Sequence, residues 1–343
     1  MIATDPTGAA EGRDRKAEHI RLALDQRMQL GRNFVDDYRF EPEALPEIDY
    51  AEIDVSVEFL GRRLAAPLLI SSMTGGTEMA GRINRNLAAG AERTGIAVGV
   101  GSQRKALEDP AKADTFRVRE VAPSVVLLAN LGAVQLNYGM GVRECRQAVD
   151  MIGADALILH LNALQEAIQP EGQCNFSGLL PKIGEVVREV GVPVVVKEIG
   201  CGISEATARA LAAQGVRIVD TAGVGGTSWA RIEAERARDL EIGELFAGWG
   251  LPTPKSILQV RRVEGLTVIA SGGIRNGLDA DKAIALGADL AGFAHPFLAP
   301  AMESAEQVAD KVRRTVRELK ICMFCLGVKT IAELRTKRLV KGL

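Results

Sequence analysis

The chain has 343 residues, of which 47% are hydrophobic and 25% are charged, a composition typical of an ordinary globular protein with one large domain or two modest ones. Its 42 lysines and arginines nearly balance 44 aspartates and glutamates. The overall charge therefore gives no reason to expect a nucleic-acid or membrane-surface partner. An anionic ligand would have to be bound by a local cluster of side chains.

The sequence favours a cytoplasmic protein that does not span a membrane. Asp5 and Glu11 interrupt the N-terminal region, which lacks the apolar run of a secretory signal. The longest apolar region, residues 283–302, is broken by Asp289, His295 and prolines, so we expect that it does not cross a bilayer. The five cysteines are odd in number and scattered, which fits a reducing compartment.

The predicted elements start with an N-terminal extension, residues 1–50, which contains an amphipathic stretch at residues 19–30. Eight short runs rich in apolar residues then recur along the chain. Each is too short for a helix, so we interpret each as a buried strand. The runs lie at residues 67–71, 97–100, 125–129, 156–159, 193–196, 217–219, 267–270 and 290–293.

Segments with helical periodicity separate these runs. Examples lie at residues 80–93, 142–151, 179–190, 205–213 and 278–286. Regular alternation of strand and helix implies a parallel sheet, and eight such units predict an α/β fold of the TIM (β/α)8 barrel type, with its core at residues 51–303. A doubly wound open sheet is the alternative. Residues 304–343 are predicted to form closing helices, so that residues 1–343 make a single domain.

A long connection, residues 219–266, follows the sixth predicted strand. It carries Trp229, Trp249 and glycine-rich turns. A segment of that length at a barrel mouth is often a lid over the site.

Polar residues or glycines follow nearly every predicted strand. The carboxyl ends of barrel strands meet at one face, so the groups that follow them form the site. These groups are Ser72–Gly76, Gly101–Arg104, Asn130, His160–Glu166, Lys197–Glu198, Asp220–Thr221, Gly225–Thr227, Ser271–Arg275 and His295. Asn130 would equally suit a plain turn.

The glycine-rich loop after the seventh strand indicates a phosphate site. Ser271 to Arg275, followed by Ala294 and His295 after the eighth strand, fall where this barrel usually holds a phosphate. Backbone N–H groups and a helix N-terminus both face the anion at that place.

The sequence allows more than one interpretation of Lys197 and of the cysteine pair near the C-terminus. Lys197 at the end of a strand suits a Schiff-base nucleophile, a cation beside an electron-rich cofactor, or a structural partner of Glu198. Cys322 and Cys325 form a C-x-x-C that would suit a redox or zinc pair, but no second pair or neighbouring histidine accompanies it. We interpret the two cysteines as apolar replacements in the closing helix.

Six motifs occur in order along nearly the whole chain. They are Arg15–His19 (RKAEH), Ser72–Gly76 (SMTGG), Gly101–Arg104 (GSQR), His160–Glu166 (HLNALQE), Gly226–Trp229 (GTSW) with Glu233, and Ser271–Arg275 (SGGIR). Each is short enough to arise by chance, but the combination is specific. In this combination the sequence resembles the type 2 isopentenyl diphosphate isomerases, which are FMN-dependent enzymes on a TIM barrel.

The resemblance implies an FMN site whose phosphate lies at the loops after strands seven and eight. The implied FMN-binding residues are Ser72, Met73, Thr74, Gly75, Ser102, Asn130, Lys197, Thr227, Gly272, Gly273, Arg275, Ala294 and His295. His295 is a departure, because the family more often has a small residue at this position. It would either add a positive contact or crowd the phosphate.

The resemblance also implies a site for an allylic diphosphate and a magnesium ion. The implied substrate-binding residues are Arg15, Lys16, His19, Ser102, Gln103, Arg104 and Gln165, and Glu166 would hold Mg²⁺. Charge arguments agree, because a diphosphate needs converging cations and a hard divalent ion with oxygen ligands. Without the resemblance, Arg15 and Lys16 would suit a solvated charge run.

The implied reaction is a 1,3-allylic proton shift between isopentenyl and dimethylallyl diphosphate, with reduced FMN as the main acid and base. The implied catalytic residues are Gln165, His160, Glu233 and Lys197, which would orient groups, relay protons or stabilise the reduced flavin. We expect His160 to orient Gln165. The family also implies NADPH as the reductant and a homotetramer or homo-octamer, with no nucleic-acid or membrane partner.

Two other functions stay open from the sequence. One is a flavin-dependent α-hydroxy-acid oxidase or dehydrogenase, which shares the glycine-rich loop and the lysine but needs a His/Arg pair for a carboxylate at the later strands. The other is a barrel that binds a flavin or phosphate without catalysis. The many polar strand ends argue against that reading, because a binding module needs fewer of them.

Overall fold

The structure is a computed structural model that describes residues 15–342. The N-terminal extension begins with helix α1 (Arg15–Leu24), and the Asp25 carboxylate then caps a 3-10 turn by accepting from the Arg27 N–H. The amphipathic stretch is therefore divided between a helix and a turn. Strand β1 (Tyr38–Phe40) follows, and then β2 (Val57–Phe59) and β3 (Arg62–Leu64) form an antiparallel hairpin.

Eight parallel strands close into a barrel, which confirms the predicted fold and excludes the open sheet. They are β4 (Leu68–Ile70), β5 (Ala97–Gly99), β6 (Leu127–Gly132), β7 (Ala156–His160), β8 (Val194–Lys197), β9 (Ile218–Asp220), β10 (Thr267–Ala270) and β11 (Leu290–Phe293). The third predicted strand is displaced toward its C-terminal end, so Asn130 lies within β6 and is not a turn residue.

Helices follow the barrel strands as the periodicity predicts. They are α2 (Glu78–Thr94), α3 (Arg104–Glu108), α4 (Val142–Ile152), α5 (Ala163–Ile168), α6 (Leu179–Glu189), α7 (Glu205–Ala213), α8 (Trp229–Ala237), α9 (Leu240–Phe246), α10 (Thr253–Val260), α11 (Gly277–Ala285) and α12 (His295–Glu303). Local sequence sets their ends: the Thr77 side chain caps α2 at Ala80 N, and Gly95 ends it at φ 66°. The long connection 219–266 is not a plain loop, because it contains α8, α9 and α10.

The C-terminal segment closes the barrel from outside. It forms α13 (Ala305–Cys325), α14 (Ile331–Leu334) and β12 (Leu339–Lys341), which confirms the predicted closing helices. β12 pairs antiparallel with β1, so the C-terminal segment contacts the N-terminal extension. Among residues 15–342, no helix is both long and apolar enough to cross a membrane.

The barrel interior is apolar at one end. Phe59 and Leu64 of the β2–β3 hairpin belong to the same buried cluster as inward residues of the barrel strands, such as Leu69, Ile158 and Val195. The hairpin therefore closes the amino-terminal end of the strands, and the polar strand ends lie at the opposite end.

Candidate active site

The inward-facing positions of the barrel change from apolar to polar toward the carboxyl ends of the strands. Side chains alternate along a strand, so the residues two positions beyond the apolar layer face the same way. This upper layer consists of Ser71, Gly99, Asn130, His160, Lys197, Asp220, Ser271 and Gly292. Most of these residues line a cavity at the barrel mouth. A second hollow, at the hairpin end, is lined by other residues, such as Arg188, Arg217 and Asp289, and by none of this upper layer.

One side of the cavity is made of main chain, and we call it the glycine wall: residues 223–226 and 271–275, with Ala294 and His295. The two loops touch so closely that a Cβ on Gly272, where φ is 95°, would lie 2.1 Å from the Gly223 oxygen. Arg275 donates from Nη2 to the Gly225 carbonyl at 3.1 Å, and α12 begins at His295. Glycines, an arginine and a helix N-terminus together form a place for a phosphate.

Unsatisfied hydroxyl groups line the adjoining surface. Within the described chain, the side-chain oxygens of Ser71, Ser72 and Thr74 and Nε2 of His295 are buried without a hydrogen-bond partner, and all four residues line the cavity. Leaving such a group unpaired costs about 1–3 kcal/mol. The surface therefore fits a polar ligand that supplies the missing bonds, and FMN has the carbonyl, ring N–H, hydroxyl and phosphate groups to do so.

Gly75 does not belong to this surface, although the sequence comparison assigned it to the FMN site. A Cβ at Gly75 would lie 2.0 Å from Cε1 of Phe116, and Gly75 is not among the residues that line the cavity. Its missing side chain makes room for a buried ring. Tight packing and cofactor contact both select glycine, and the structure shows the packing role for Gly75.

The other side of the cavity is made of side chains, and we call it the side-chain wall: Lys16, His19, Arg104, Gln165 and Glu166, all of which line the cavity. They come from α1, α3 and α5, and Ser102 lies beside them. The side chain of Arg15, the remaining predicted cation, lies outside the residues that the structure describes.

Three amide groups hold the Glu166 carboxylate. Its Oε1 accepts from Asn162 Nδ2 at 2.7 Å, and its Oε2 accepts from the Gln173 N–H at 2.7 Å and from Gln169 Nε2. Over residues 15–342, no cluster of three or more His, Cys, Asp or Glu forms a cage for a metal. The arrangement fits an ion such as Mg²⁺ that takes one carboxylate and completes its shell with water and phosphate oxygens.

Gln165 lies beside Glu166 and belongs to a second network. Its Nε2 donates to Glu233 Oε1 at 2.6 Å, and His19 Nε2 lies 3.0 Å from the same oxygen. Burial alone would raise the pKa of the Glu233 carboxyl, but His19, Gln165 and Arg236 outweigh burial and lower it to about 2. Glu233 is thus ionised and fully buried behind Gln165, so it positions that amide and does not face the cavity.

His160 is neutral and does not orient Gln165 directly. Burial, followed by the charges of Lys197, Lys16 and Arg104, lowers the pKa of the His160 imidazole to about 3. Its Nδ1 lies 2.8 Å from Asn130 Oδ1. The expectation that His160 orients Gln165 is wrong, because Glu233 and Asn162 make those hydrogen bonds.

The structure places the Gln103 side chain inside the protein, away from the cavity where the substrate was expected. Its side chain is fully buried, donates to the Ala148 carbonyl at 2.8 Å and accepts from the Asn130 N–H at 3.0 Å. Neighbouring residues Ser102 and Arg104 face the cavity, whereas Gln103 turns into the protein. In the Gly101–Arg104 motif, two side chains therefore point into the cavity and the one between them points away from it.

Lys197 extends into the cavity from the end of β8. Its ammonium donates to the main-chain carbonyl of Glu198 at 2.6 Å. The Glu198 carboxylate instead accepts the N–H groups of Ile199 and Gly200, so the lysine is not paired with that side chain. Burial raises the pKa of the neighbouring Asp220 carboxyl, although the charge of Lys197 opposes this shift.

The remaining predicted residues also meet the cavity. Met73, Asn130, Thr227, Gly272, Gly273, Arg275, Ala294 and His295 all line it. Trp229 lines it as well, and its ring packs edge-on to His19 at 5.3 Å. In contrast, Cys325 is exposed and Cys322 half-buried at the end of α13, away from the cavity lining.

The sequence analysis missed four glutamines at the barrel mouth: Gln29, Gln135, Gln169 and Gln173. Gln29, Gln135 and Gln169 line the cavity, and Gln29 Nε2 donates to Thr227 Oγ1 at 2.9 Å. Gln169 carried a usable signal, because it stands three residues after Glu166 on the same helical face. The other three reach the site through the tertiary fold, and their spacing in the sequence gives no sign of it.

The chain is similar to known proteins over most of its length. A model of the FMN-dependent dehydrogenase family matches residues 17–127 and 179–341. An isopentenyl-diphosphate delta-isomerase of Nostoc sp. is 51% identical over 95% of this chain and 95% of the relative. One from Rickettsia bellii is 48% identical over 95% of this chain and 96% of the relative.

Solved structures with a similar fold are flavoenzymes at low identity. A lactate oxidase of Pediococcus acidilactici has a TM-score of 0.66 at 17% identity, covering 92% of this chain and 87% of that one. A flavocytochrome b2 with pyruvate bound has a TM-score of 0.69 at 18% identity, covering 95% and 82% respectively. At these identities the likeness concerns the fold alone.

Proposed function

The chain belongs to the isopentenyl-diphosphate delta-isomerases within the FMN-dependent dehydrogenase family, and we propose that it interconverts isopentenyl and dimethylallyl diphosphate with reduced FMN, in isoprenoid biosynthesis. One observation carries the proposal beyond family membership. A glycine wall suited to a phosphate faces a side-chain wall of cations and one held carboxylate across the same cavity. The first wall suits a flavin nucleotide and the second suits a diphosphate.

FMN would be held by residues of three kinds. The phosphate would lie on the glycine wall, where Gly272, Gly273, Arg275 and the start of α12 converge. The unpaired hydroxyls of Ser72 and Thr74 would bond the ring system, and Met73, Ser102, Asn130, Lys197 and Thr227 would complete the pocket. The buried Ser72 and Thr74 hydroxyls, which lack a hydrogen-bond partner within the protein, support this assignment.

The reaction adds a proton at C4 of the alkene and removes one at C2, with no net change of oxidation state. Reduced FMN, when bound, supplies an acidic ring N–H and an electron-rich face beside a centre of developing positive charge. Lys197 would compensate negative charge on the reduced ring. His160 stays neutral at physiological pH because its pKa is low, so it adds no second cation beside the reacting carbon.

The diphosphate would be bound on the side-chain wall. Arg15, Lys16 and Arg104 would supply positive charge, His19 and Ser102 further contacts, and Glu166 a ligand for Mg²⁺. Anchoring the diphosphate there would fix the position of the alkene, which would convert binding energy into orientation. Three amides hold the Glu166 carboxylate before any ion arrives, so little reorganisation is needed.

Gln165 would be the side chain closest to the proton transfers. Its amide nitrogen donates to Glu233 and its amide oxygen accepts from Asn162 at 3.1 Å, which leaves the second lone pair of that oxygen for the substrate side or an ordered water. Glu233 and His19 would act as positioning groups behind it, because the ionised carboxylate fixes which way the amide points. A fixed amide keeps its hydrogen-bonding groups in one orientation at the reacting end of the cavity, as the proton transfers require.

The competing oxidase function lacks its substrate site. An α-hydroxy-acid oxidase needs a His/Arg pair for the substrate carboxylate at the later strands, but β9 is followed by Thr221 and Ala222, and α12 carries His295 beside the phosphate loop. The carboxylate-binding side of such an enzyme would instead meet the Glu166 carboxylate. A negative group there favours a magnesium diphosphate over a carboxylate.

The decisive experiment is turnover under reducing conditions. Purified protein with FMN, Mg²⁺ and an anaerobic reductant is expected to interconvert the two C5 diphosphates, followed by NMR or chromatography. Bound FMN without turnover, together with reduction of the flavin by a 2-hydroxy acid, would reject the isomerase in favour of an oxidase. Bound FMN with neither reaction would favour a non-catalytic barrel.

Further parts of the proposal concern the cellular setting. We propose one FMN-binding domain over the whole chain, NADPH as the reductant, and the cytoplasm as the location. All five cysteines are unpaired in the structure, which supports a reducing compartment. We propose a homotetramer or homo-octamer, supported by the exposure of Leu245 (73%) and Trp249 (61%) near each other in the α9 region. Light scattering of the holoenzyme tests the assembly.

A further inference from the structure

Gln173 lies in the loop after α5 and joins two groups of the side-chain wall. Its main-chain N–H donates to Glu166 Oε2 at 2.7 Å. Its side-chain oxygen accepts from Arg104 Nη1 at 3.3 Å and from Gln135 Nε2 at 2.7 Å. A single residue thus contacts the proposed metal ligand through its backbone and the proposed diphosphate cation through its side chain.

Arg104 has a second acceptor that draws it away from the cavity. Glu108, one turn later on α3, lies 3.6 Å from Arg104 Nε and is 57% exposed. An exposed i,i+4 pair of this kind is weak, about 0.3–0.5 kcal/mol. The orientation of the guanidinium is therefore set by a small balance between Glu108 outside and Gln173 inside.

An amide is the appropriate group for the inner position. A carboxylate there would bind the guanidinium more strongly, but it would also cancel the charge that a diphosphate needs. It would further lie next to the Glu166 carboxylate and repel it. A neutral carbonyl oxygen orients Arg104 without neutralising it, and the bond from Gln135 fixes which end of the amide carries that oxygen.

The contact from the Gln173 N–H limits how the Glu166 carboxylate can bind a metal ion. A carboxylate has about four lone-pair positions, and Glu166 already accepts from Asn162 on Oε1 and from Gln169 and Gln173 on Oε2. The remaining position is on Oε1. A cation would therefore be bound by one oxygen of Glu166, leaving its other coordination positions for water and phosphate oxygens.

We propose that Gln173 is a positioning residue that fixes the Arg104 guanidinium relative to the Glu166 carboxylate, so that a magnesium diphosphate meets both at once. This inference rests on the proposed isomerase function for its substrate. It assigns to the loop 169–178 a role in affinity for the diphosphate group. Gln173 does not line the cavity, so it acts through Arg104 and Glu166.

The test compares Gln173→Met with wild type, because methionine keeps the length of the side chain and removes the acceptor. Holoenzyme is titrated with inorganic pyrophosphate and Mg²⁺ by calorimetry, and steady-state isomerisation is measured in parallel. We expect the pyrophosphate Kd and the substrate KM each to rise about tenfold, the size expected for losing a hydrogen bond to a charged group. The kcat is expected to stay within about twofold, because the reacting atoms are unaffected.

Two further variants separate positioning from loop stability. Asn137→Ala removes the bonds from Asn137 Nδ2 to the carbonyls of Asn175 (2.8 Å) and Ser177 (3.0 Å), which anchor the same loop. We expect it to leave the pyrophosphate Kd unchanged. Gln173→Glu keeps the acceptor but adds charge, and we expect it to weaken pyrophosphate binding at least as much as Gln173→Met.

The outcomes decide between the two hypotheses separately. Wild-type affinity for pyrophosphate in Gln173→Met, or an equal loss in Asn137→Ala, would overturn the positioning role. If the wild-type protein had no isomerase activity, the proposed function would fail, but the pyrophosphate titration would still decide whether Gln173 organises a diphosphate site.

Discussion

The two walls of the cavity use different physical means to hold a ligand. The glycine wall consists of two main-chain loops after neighbouring strands, and its donors are fixed by backbone geometry. The side-chain wall is assembled from distant segments: Gln165 and Glu233, for example, are 68 positions apart. Binding on the glycine wall depends on empty space and on main-chain direction. Binding on the side-chain wall depends on charge and on partners that keep each charged group in place.

This difference predicts opposite responses to substitution. A side chain added to the glycine wall should expel the cofactor, whereas a side chain removed from the other wall should impair substrate handling and leave the flavin bound.

Gln165→Ala should have the largest effect on catalysis. It removes the amide that Glu233 orients, and groups that handle protons contribute about 10²–10⁴-fold to rates, so we expect kcat to fall about 10³-fold. The protein should stay yellow, because Gln165 is on the opposite wall from the phosphate. The measurement is isomerisation rate together with flavin absorbance, and Gln307→Ala on the exposed face of α13 is the control. Unchanged kcat in Gln165→Ala would remove this residue from the mechanism.

Gly272→Ala should have the largest effect on the cofactor. Its Cβ would lie 2.1 Å from the Gly223 oxygen, at a φ of 95°, so the loops must separate. We expect the FMN Kd to rise about 100-fold, or about 3 kcal/mol, measured by fluorescence titration of the apoprotein.

The matched control is Gly265→Ala. Gly265 also has positive φ, 76°, but no atom lies within 4 Å of a Cβ built there. It should cost about 1–2 kcal/mol of stability and leave FMN affinity unchanged. Equal loss of FMN in both variants would show that backbone strain, and not contact between the loops, governs the site.

Asp279→Ala should have a smaller effect on FMN binding, and it should also disturb the N-terminal extension, which carries Lys16 and His19 of the side-chain wall. Asp279 Oδ2 accepts from the Arg275 N–H at 2.9 Å and from Asn33 Nδ2 at 3.0 Å, so one buried oxygen holds both the phosphate loop and the N-terminal extension. We expect about a tenfold rise in FMN Kd. Asn33→Ala breaks the tie to the extension alone and should raise the substrate KM without changing FMN affinity. An FMN loss of the same size in Asn33→Ala would contradict this division.

The smallest expected effect is on the pH dependence of stability. The His160 pKa is lowered by burial from its ordinary 6.5 to about 3, so the unfolded chain binds a proton more readily. Burying the neutral imidazole therefore costs no stability above about pH 6.5, and the free energy of unfolding decreases as the pH falls from there toward 3. Between about pH 7.5 and pH 5.5, apoprotein with His160→Asn should lose about 1 °C less of its Tm than wild type. Parallel melting curves would exclude a buried neutral histidine.

Sequence patterns were sufficient to predict the barrel and the glycine wall. Eight apolar runs located all eight strands, and Gly272 and Gly273 stood out because their chemistry is that of the backbone itself. Patterns were less reliable where a residue type has two uses. Gln103 and Gly75 sit inside motifs of the right family, but one turns into the protein to bind backbone and the other makes room for Phe116.

Periodicity and short motifs, which are local properties of the chain, were enough to predict the fold class, the end of the barrel that carries the site, and the family. The folded structure was needed to show that Glu233 lies behind Gln165, that His160 pairs with Asn130, and that Gln173 joins Arg104 to Glu166. Those contacts depend on side-chain direction and on segments brought together by barrel closure, and neither is encoded in local spacing.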